Sequence, residues 1–419
     1  MRRFTVFAAT PALPSCHAAT LTALAGGGLL VAWYAGSREA APDVAIYGAR
    51  PARNSAARSP PFLLTNTPGR PEGNPVLFTD PGGGVWLFYV TLMGDKWTTS
   101  RMKLRRSADG GHTWGAERVL SPEPGWMARN RPLALPSGEW LLPTYDERDW
   151  TSFALISDDQ GKTWRQGSRV TAPPGVIQPA IAPLADGRLL MLLRTGGSGG
   201  WIWQATSTDG GRTWSQATPT GVPNNNSGLD LIRLDDGHLL LACNPVADSK
   251  RRTPLSLLLS DDEGCTWHRW LDVETEPGEF SYPALLQADD GTIHMVYTYR
   301  RTAIVHVALN HMNAYTASTT GTIRARPAAR PGLRPPPPRR HCTEHDQGTD
   351  VRGLTHHATH KCNYASRITF PRARCRACRR TIALVISAAM AGTNSSGRTT
   401  VHSCTLSGTV PKIGWRKGM

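Results

Sequence analysis

Residues 107–114 read Ser-Ala-Asp-Gly-Gly-His-Thr-Trp, and the pattern Ser-x-Asp-x-Gly-x-Thr-Trp recurs three times further along the chain. The later copies begin at Ser157, Ser207 and Ser260, so successive copies start 50, 50 and 53 residues apart. Aspartate accepts hydrogen bonds from turn amides and glycine tolerates positive φ, so each copy predicts a tight turn. A period of about 50 residues predicts repeated structural units. The Trp that ends each copy is predicted to pack between neighbouring units.

A second repeat alternates with the first. A strand-like run, a glycine-bearing turn and another strand-like run occur six times, and the turn glycines are 49 to 56 residues apart. These predicted hairpins span residues 17–33, 75–89, 132–143, 179–194, 229–244 and 283–299. Six hairpins at this spacing predict an all-β, six-bladed β-propeller with little helix. We expect residues 304–309 to form the last strand and residues 4–9 to pair with it, which closes the ring.

The positive charge of the chain is concentrated at its C-terminal end. Residues 311–419 contain 18 Lys and Arg against 3 Asp and Glu, whereas residues 1–310 contain 29 of each sign. We therefore assign the propeller to residues 1–310, and we predict that residues 311–419 form a disordered, basic tail rich in Pro, Arg and His. The neutral body argues against nucleic acid as a partner, and no apolar run approaches the roughly 20 residues of a membrane span.

The tail also contains residues that can bind metals. Cys375-x-x-Cys378, Cys362 and His356-x-x-x-His360 invite a zinc interpretation. They lack a second well-spaced cysteine pair, so no metal or other cofactor is predicted, although zinc binding and nucleic-acid binding by the tail remain alternatives. Three scattered cysteines in the body and the short apolar run at the N-terminus favour a reduced, cytoplasmic setting over secretion. The oligomeric state is left open.

Repeated aspartate turns on a six-bladed propeller resemble the sialidase (neuraminidase) superfamily, and in particular its bacterial members with BNR (Asp-box) repeats. The resemblance covers roughly residues 10–310. It implies an exo-acting glycoside hydrolase that removes a terminal acidic sugar such as sialic acid. The implied site holds a tyrosine nucleophile helped by a glutamate, an aspartate acid/base, and three arginines that bind the sugar carboxylate. The turn repeats lie at the blade rim, so activity has to be argued from residues near the axis.

Several positions of this chain match that site. Tyr282, in Phe280-Ser281-Tyr282-Pro283, stands where the resemblance places the nucleophile. Arg194 ends an otherwise apolar strand and matches the second arginine. Arg252 matches the third arginine, with Arg251 as the alternative.

A loop after the first hairpin supplies the remaining match. Asp43 stands at the position of the acid/base aspartate, just before a predicted strand. Glu39 and Arg38, on the same loop, are further candidates for sharing this site.

Two departures separate this chain from the pattern. Cys16-His17-Ala18 occupies the stretch where the first arginine is expected, and His17 would replace it only if protonated. Gln178, 16 residues before Arg194, stands in place of the assisting glutamate. Glutamine cannot accept a proton, so Tyr282 would need another base.

Other polar residues complete the predicted pocket. Asp146, Glu147 and Asp230 are the candidate bases, and Tyr145, Asp230 and residues 224–227 are predicted to line the pocket with groups that bind sugars. Two further functions stay open: a hydrolase of the same fold acting on a different saccharide, and a propeller that binds glycans or proteins without catalysis.

Overall fold

The computed structural model describes residues 1–51, 60–197 and 200–310, and it assigns three further strands beyond them. The chain divides into two units, Met1–Pro336 and Pro337–Met419. The first unit contains six β-sheets, and the helix found among the described residues is a single 3-10 turn, Trp97–Thr99. The prediction of an all-β, six-bladed β-propeller is confirmed.

Each blade is an antiparallel sheet whose strands follow one another outward from the axis. The chain begins with β1 (Arg2–Ala8), which belongs to the last blade. Blades 1 and 2 are formed by β2 (Ser15–Ala23), β3 (Leu29–Gly36), β4 (Ala45–Ala49) and β5 (Phe62–Thr65), and by β6 (Glu72–Thr79), β7 (Val85–Leu92), β8 (Ser100–Ser107) and β9 (Arg118–Val119). Blade 3 is formed by β10 (Trp126–Ala128), β11 (Leu133–Ala134), β12 (Trp140–Asp146), β13 (Thr151–Ser157) and β14 (Arg165–Gln166).

The second half of the ring repeats this plan. Blade 4 is formed by β15 (Val176–Pro183), β16 (Leu189–Thr195), β17 (Trp201–Ser207) and β18 (Thr218–Pro223). Blade 5 is formed by β19 (Asp230–Arg233), β20 (Leu239–Cys243), β21 (Leu255–Ser260) and β22 (Thr266–Glu274). Blade 6 is formed by β23 (Phe280–Gln287), β24 (Thr292–Tyr299), β25 (Ala303–Asn310) and β1.

The core lies between the blades. The second strand of a blade is covered on both faces, so β3 and β7 are buried along their whole length and their sequences are almost continuously apolar. One apolar cluster joins Phe88 of blade 2 to Leu142 and Phe153 of blade 3, and clusters of this kind recur around the ring. The hydrophobic effect therefore holds the blades together.

The start of the chain closes the ring. Strand β1 pairs antiparallel with β25, and Phe4 lies opposite His306. The predicted pairing of residues 4–9 with the last strand is confirmed, with the strand beginning two residues earlier.

The four aspartate turns share one hydrogen-bond pattern. In the first copy, Ser107 Oγ donates to the Asp109 carboxylate over 2.6 Å, and Thr113 donates to it through its amide (2.9 Å) and hydroxyl (2.6 Å). The other three copies repeat these contacts. Hydrogen bonds from Thr163 lower the pKa of Asp159 to about 2, so the turn carboxylates stay ionised. They brace the turn and are not available for catalysis.

The Trp at the end of each aspartate turn packs against the preceding blade, as predicted. Trp267 of blade 5 is fully buried and belongs to the cluster that contains Leu190 of blade 4. Trp164 of blade 3 meets Phe88 of blade 2 edge-on, with ring centroids 5.9 Å apart. Trp164 is only partly buried, and so are its equivalents Trp114 and Trp214. Trp267 is therefore the strongest of the four wedges.

A pair of buried histidines joins the two middle strands of blade 6, β24 and β25. His294 Nδ1 and His306 Nε2 are 2.9 Å apart, both side chains are fully buried, and Phe4 stacks on His306. Burial, together with His294 and Arg2, lowers the pKa of His306 to about 3 from an ordinary value of 6.5. The folded protein therefore keeps His306 neutral.

The histidine pair should make the fold acid-sensitive. The unfolded chain takes up a proton at His306 below pH 6.5 and the folded chain does not. This contribution to stability is complete above pH 6.5 and is lost as the pH falls towards 3, by about 1.4 kcal/mol per pH unit for one proton. Urea unfolding of wild type and His306→Asn between pH 6.5 and 4.5 measures it. The variant should be less stable at pH 7, and its free energy of unfolding should fall less steeply with decreasing pH than that of wild type. Equal slopes in the two proteins would contradict the role of His306 in acid sensitivity.

Beyond residue 310 the described structure is limited to strands. Strand β26 (Thr322–Arg324) pairs with β22, and β27 (Ala383–Thr393) pairs with β28 (Thr399–Thr409) within the second unit. The rest of the predicted tail, with its cysteine and histidine cluster, lies outside the described residues, and so do residues 52–59. In the described part of the chain, no helix is long and apolar enough to cross a membrane, and no group of three metal-binding side chains was found.

Candidate active site

The inner strands of four blades carry a bulge at the same point, near their start. Their ladders shift register there, and the residues with positive φ are Ala18, Asn74, Gln178 and Tyr282, with φ between 46° and 55°. A bulge bends the strand and re-aims a side chain. Positive φ costs a non-glycine residue roughly 1–2 kcal/mol, so the conformation is imposed by its surroundings. The bulges at Gln178 and Tyr282 bring these two side chains, which come from different blades, together.

The Tyr282 hydroxyl is the centre of this meeting point. It accepts hydrogen bonds from Arg194 Nη1 (3.1 Å) and from Gln178 Nε2 (3.4 Å). The Cζ of Arg252 lies 5.8 Å from the Tyr282 ring centroid, and the His17 ring meets the same ring edge-on at 4.5 Å. The structure thus brings five of the sequence-predicted site residues together, from blades 1, 4, 5 and 6.

The electrostatic surroundings favour the ionised form of Tyr282. Burial alone would raise the pKa of its hydroxyl, but the charges of Arg194 and Arg252 and the hydrogen bond from Gln178 bring that pKa below its usual value. The two arginines thus favour loss of the phenolic proton, an effect that opposite charge beside an acidic group produces.

Arg194 is buried among polar groups and does not extend into bulk solvent. Its side chain is 8% exposed, and its Nη1 donates to Gln178 Oε1 over 2.9 Å. Its Nε donates to Asn226 Oδ1 over 2.8 Å, so residues 224–227 contribute to the site through Asn226. These contacts hold the guanidinium against the Tyr282 hydroxyl.

Arg252 reaches the site and Arg251 does not. Arg252 Nη1 pairs with Glu279 over 3.1 Å and its Cζ lies beside the Tyr282 ring. Arg251 is exposed, and its backbone carbonyl oxygen accepts a hydrogen bond from Asn225. The structure therefore distinguishes the two candidates that the sequence left open.

His17 is buried and neutral. Its ring packs against Tyr282 and Tyr34, and neither ring nitrogen has a hydrogen-bond partner among the described residues. Burial lowers its pKa well below 6.5, and the charges of Arg301, Arg252, Arg129 and Arg194 lower it further. The expectation that a protonated His17 replaces an arginine conflicts with this environment, because four positive charges oppose protonation.

The loop between β3 and β4 carries the expected acid/base residue. Asp43 is exposed and accepts hydrogen bonds from the amide and hydroxyl of Ser37, each over 2.8 Å. Slight burial acts to raise the pKa of Asp43. The hydrogen bonds from Ser37 and the charge of Arg38 outweigh it, so the pKa lies below its usual value. Within the described residues, its hydrogen bonds stay inside the loop. Glu39 instead reaches the cluster, where it pairs with Arg301.

The four predicted polar residues of blades 3 and 5 take different roles. The Tyr145 hydroxyl accepts from Asn74 over 3.0 Å and from Gln178 over 3.5 Å, so Tyr145 supports Gln178 from behind. Asp230 is buried and accepts the amides of Leu231 and Leu285, which makes it a structural residue. Burial acts to raise the pKa of Asp146, but contacts with Arg148 and Arg169 lower it to about 2. The Asp146 carboxylate is engaged in ion pairs with these two arginines.

Glu147 differs from the other carboxylates. Burial raises its pKa to about 7, although the charge of Arg194 acts in the opposite direction. Its carboxylate has no hydrogen bond to a described side chain and it lies near Arg194 and Tyr145. A carboxyl that is half-protonated at neutral pH is suited to exchanging protons.

Two arginines at the site were missed by the sequence analysis. Arg129, 1% exposed, lies where the inner strand of blade 3 is split between β10 and β11. Its Nη2 donates to the carbonyl oxygens of Ala19, Tyr282 and Pro283, and its Cζ is 5.1 Å from the Tyr282 ring. A signal existed in the sequence: Arg129-Asn130-Arg131-Pro132 precedes a hairpin just as Gln178-Pro179 and Tyr282-Pro283 do. Arg301, in the last hairpin, has no such signal.

The fold and this cluster define a sialidase-like β-propeller. The chain matches the model of the BNR repeat-like domain over residues 27–295 and belongs to that family.

Two relatives at the sequence level carry sialidase names. The chain is 28% identical over 218 residues to a sialidase from Micromonospora viridifaciens, covering 46% of this chain and 32% of the relative. It is 26% identical over 247 residues to an anhydrosialidase from Macrobdella decora, covering 52% of this chain and 32% of the relative. This chain thus spans about a third of the length of these relatives.

The fold has solved counterparts. The intramolecular trans-sialidase from Ruminococcus gnavus, solved in complex with oseltamivir carboxylate, superposes with a TM-score of 0.63 at 16% identity. The match covers 74% of this chain and 97% of that one. At this identity the likeness establishes the fold alone.

Proposed function

We propose that this protein is an exo-acting glycoside hydrolase that removes a terminal acidic sugar, sialic acid or a close relative, from a glycoconjugate. The observation that supports this most directly is the Tyr282 hydroxyl, held by Arg194 and Gln178 beside Arg252. A phenol suits an anionic substrate because a carboxylate nucleophile would repel it, and sialidases use tyrosine in this way.

The reaction has two covalent steps. The Tyr282 oxygen attacks the anomeric carbon, and the glycosidic oxygen leaves with a proton from a carboxylic acid. Water then attacks the same carbon, gives its proton to the resulting carboxylate, and releases the tyrosine oxygen. The two inversions together retain the anomeric configuration. Arg194 and Arg252 bind the sugar carboxylate, for which the planar guanidinium fork is well suited.

Two carboxyls compete for the role of proton donor. Asp43 has the position that the family resemblance assigns to the acid/base, but its pKa is lowered by its contacts with Ser37. Glu147 has a pKa of about 7 and lies near Arg194. We assign the role to Asp43, with Glu147 as the alternative.

Turnover of a fluorogenic sialoside by the full-length chain tests the proposal directly. Asp43→Asn should abolish turnover of a substrate with a poor leaving group. Unchanged turnover in Asp43→Asn, together with loss in Glu147→Gln, would move the role to Glu147. No turnover of any acidic glycoside by wild type would overturn the hydrolase proposal.

Gln178→Glu should change the pH dependence of this reaction. In wild type the rate follows the ionised fraction of Tyr282, which falls about tenfold per pH unit below its pKa. A glutamate of pKa about 4.3 would accept the proton and flatten the profile between pH 5.5 and 8. We expect the ratio of kcat/KM at pH 5.5 to that at pH 8 to rise by at least about tenfold. Gln204→Glu, on β17, is the matched control, and identical profiles in all three proteins would refute this role of Gln178.

A non-catalytic propeller is the second candidate. The observation that favours it is that the Tyr282 hydroxyl contacts an amide and a guanidinium, and none of the described carboxylates hydrogen-bonds to it. Saturable binding of a sialylated glycan without release of product would support this alternative.

A further inference from the structure

One cation that binds the substrate carboxylate is missing from its expected place. The family resemblance puts the first of three arginines at the His17 position, and His17 is buried, neutral and surrounded by positive charge. With Arg194 and Arg252 alone, the proposed site would hold the carboxylate with two guanidiniums. A third cation would have to come from a different part of the chain.

Arg301 lies next to position 17, where the family resemblance places the absent arginine. It belongs to the hairpin between β24 and β25, and its carbonyl oxygen accepts a hydrogen bond from the amide of Cys16 over 2.9 Å. The hairpin is therefore attached to β2 one residue before His17. Of the four arginines that lower the pKa of His17, Arg301 acts most strongly.

The Arg301 side chain is coupled to the rest of the site. Its Nε contacts both oxygens of Glu279, at 3.1 and 3.0 Å, and its Nη1 pairs with Glu39. Glu279 also pairs with Arg252 over 3.1 Å, so one carboxylate holds both guanidiniums together. Arg301 keeps 33% of its side-chain surface exposed, and its Nη2 makes no hydrogen bond to a described residue. This edge of the guanidinium is free to bind a ligand.

The turn of this hairpin has two arginines at positions where other residue types are usual. Arg300 and Arg301 both have positive φ, 51° and 57°, in the turn where Asn and Gly are strongly preferred. Closing the two-residue hairpin requires positive φ at both positions, so the turn itself explains the conformation, and the two arginines bear a conformational cost that Asn-Gly would avoid. Arg300 uses its side chain locally, over the Phe280 and Tyr299 rings. Arg301 points to the site.

We propose that Arg301 supplies the third guanidinium for the substrate carboxylate and so replaces the arginine that is absent at position 17. The inference rests on the proposed function, because the ligand is the carboxylate of the same acidic sugar. The carboxylate lies on Arg194, Arg252 and Arg301, while Glu39 and Glu279 hold the last two in place. Arg301 is then a specificity residue that distinguishes an acidic sugar from its neutral analogue.

The test compares a sialoside with the same sialoside whose carboxylate is converted to a carboxamide. Arg301→Met should lower kcat/KM for the acid by about 10²-fold, chiefly through KM, and change the value for the amide by less than about threefold. Arg301→Lys should lose about tenfold on the acid, because it keeps the charge but not the fork. Arg300→Met, the neighbour with the same backbone conformation, should change neither value more than about twofold. Melting temperatures and titration of wild type and variants with sialic acid accompany the kinetics.

The outcomes separate the two hypotheses. Wild type that neither hydrolyses nor binds the acid overturns the proposed function and the role of Arg301 with it. Active wild type with an Arg301→Met variant that keeps its preference for the acid overturns only the role of Arg301. An equal loss on acid and amide also overturns it, since Arg301 would then merely support Glu39 and Glu279. If wild type binds without turnover, the same comparison is made on the dissociation constants.

Discussion

Tyr282→Phe is expected to lower kcat/KM for a sialoside by at least about 10³-fold. Phenylalanine keeps the ring contacts with His17, Arg129 and Arg252 and removes only the oxygen that would bond to the anomeric carbon. Loss of a covalent nucleophile removes the favoured route of reaction, while binding of the sugar remains. The melting temperature should change little, and KM should change far less than kcat.

Steady-state kinetics and trapping of the covalent intermediate check this prediction. Tyr299→Phe is the control, because Tyr299 lies at the end of β24 and its ring contacts, with Phe280 among others, survive the change. It should retain nearly full activity. A Tyr282→Phe variant with more than about a tenth of wild-type activity would show that the nucleophile is elsewhere, and water activated by Glu147 would become the first alternative.

Trp267→Ala is expected to reduce the free energy of unfolding by about 3–5 kcal/mol. Its indole is fully buried between blades 4 and 5, next to Leu190 and Leu258, so truncation leaves a cavity that a ring of sheets closes poorly. Trp164→Ala should cost less, because Trp164 is only partly buried. Urea unfolding measures both values.

Trp201→Ala serves as the control for this series. Trp201 is 40% exposed on β17, so its removal should cost less than about 1 kcal/mol. Equal stability of Trp267→Ala and wild type would contradict the role of these residues as wedges between blades.

The fold was predictable because its signals are local. The aspartate turns are stabilised by contacts within eight residues, and each hairpin is encoded by two apolar runs and the glycine between them. Their regular spacing then leaves few arrangements other than a ring. The strand that closes the ring was also predictable, since residues 4–9 and 304–309 are strand-like runs outside the six predicted hairpins, and they pair with each other.

The site was predictable only in part. Tyr282, Arg194, Arg252 and Gln178 were expected from the family resemblance, and the structure brings them together. Arg129 and Arg301 were missed because they reach the site from the split inner strand of blade 3 and from a hairpin tip. Asp230 and Tyr145 were expected to line the pocket, but they face the interior behind it.

The sequence by itself determined the number of blades, the turns that brace them and the residue types available for chemistry. Those features depend on interactions between near neighbours in the chain. Tertiary structure alone decided which charges act on one another. Burial keeps His17 neutral and raises the pKa of Glu147 to about 7, whereas Arg194 and Arg252 lower the pKa of Tyr282 against the effect of its burial. Burial and distance set these pKa values, and neither is written in the order of the residues.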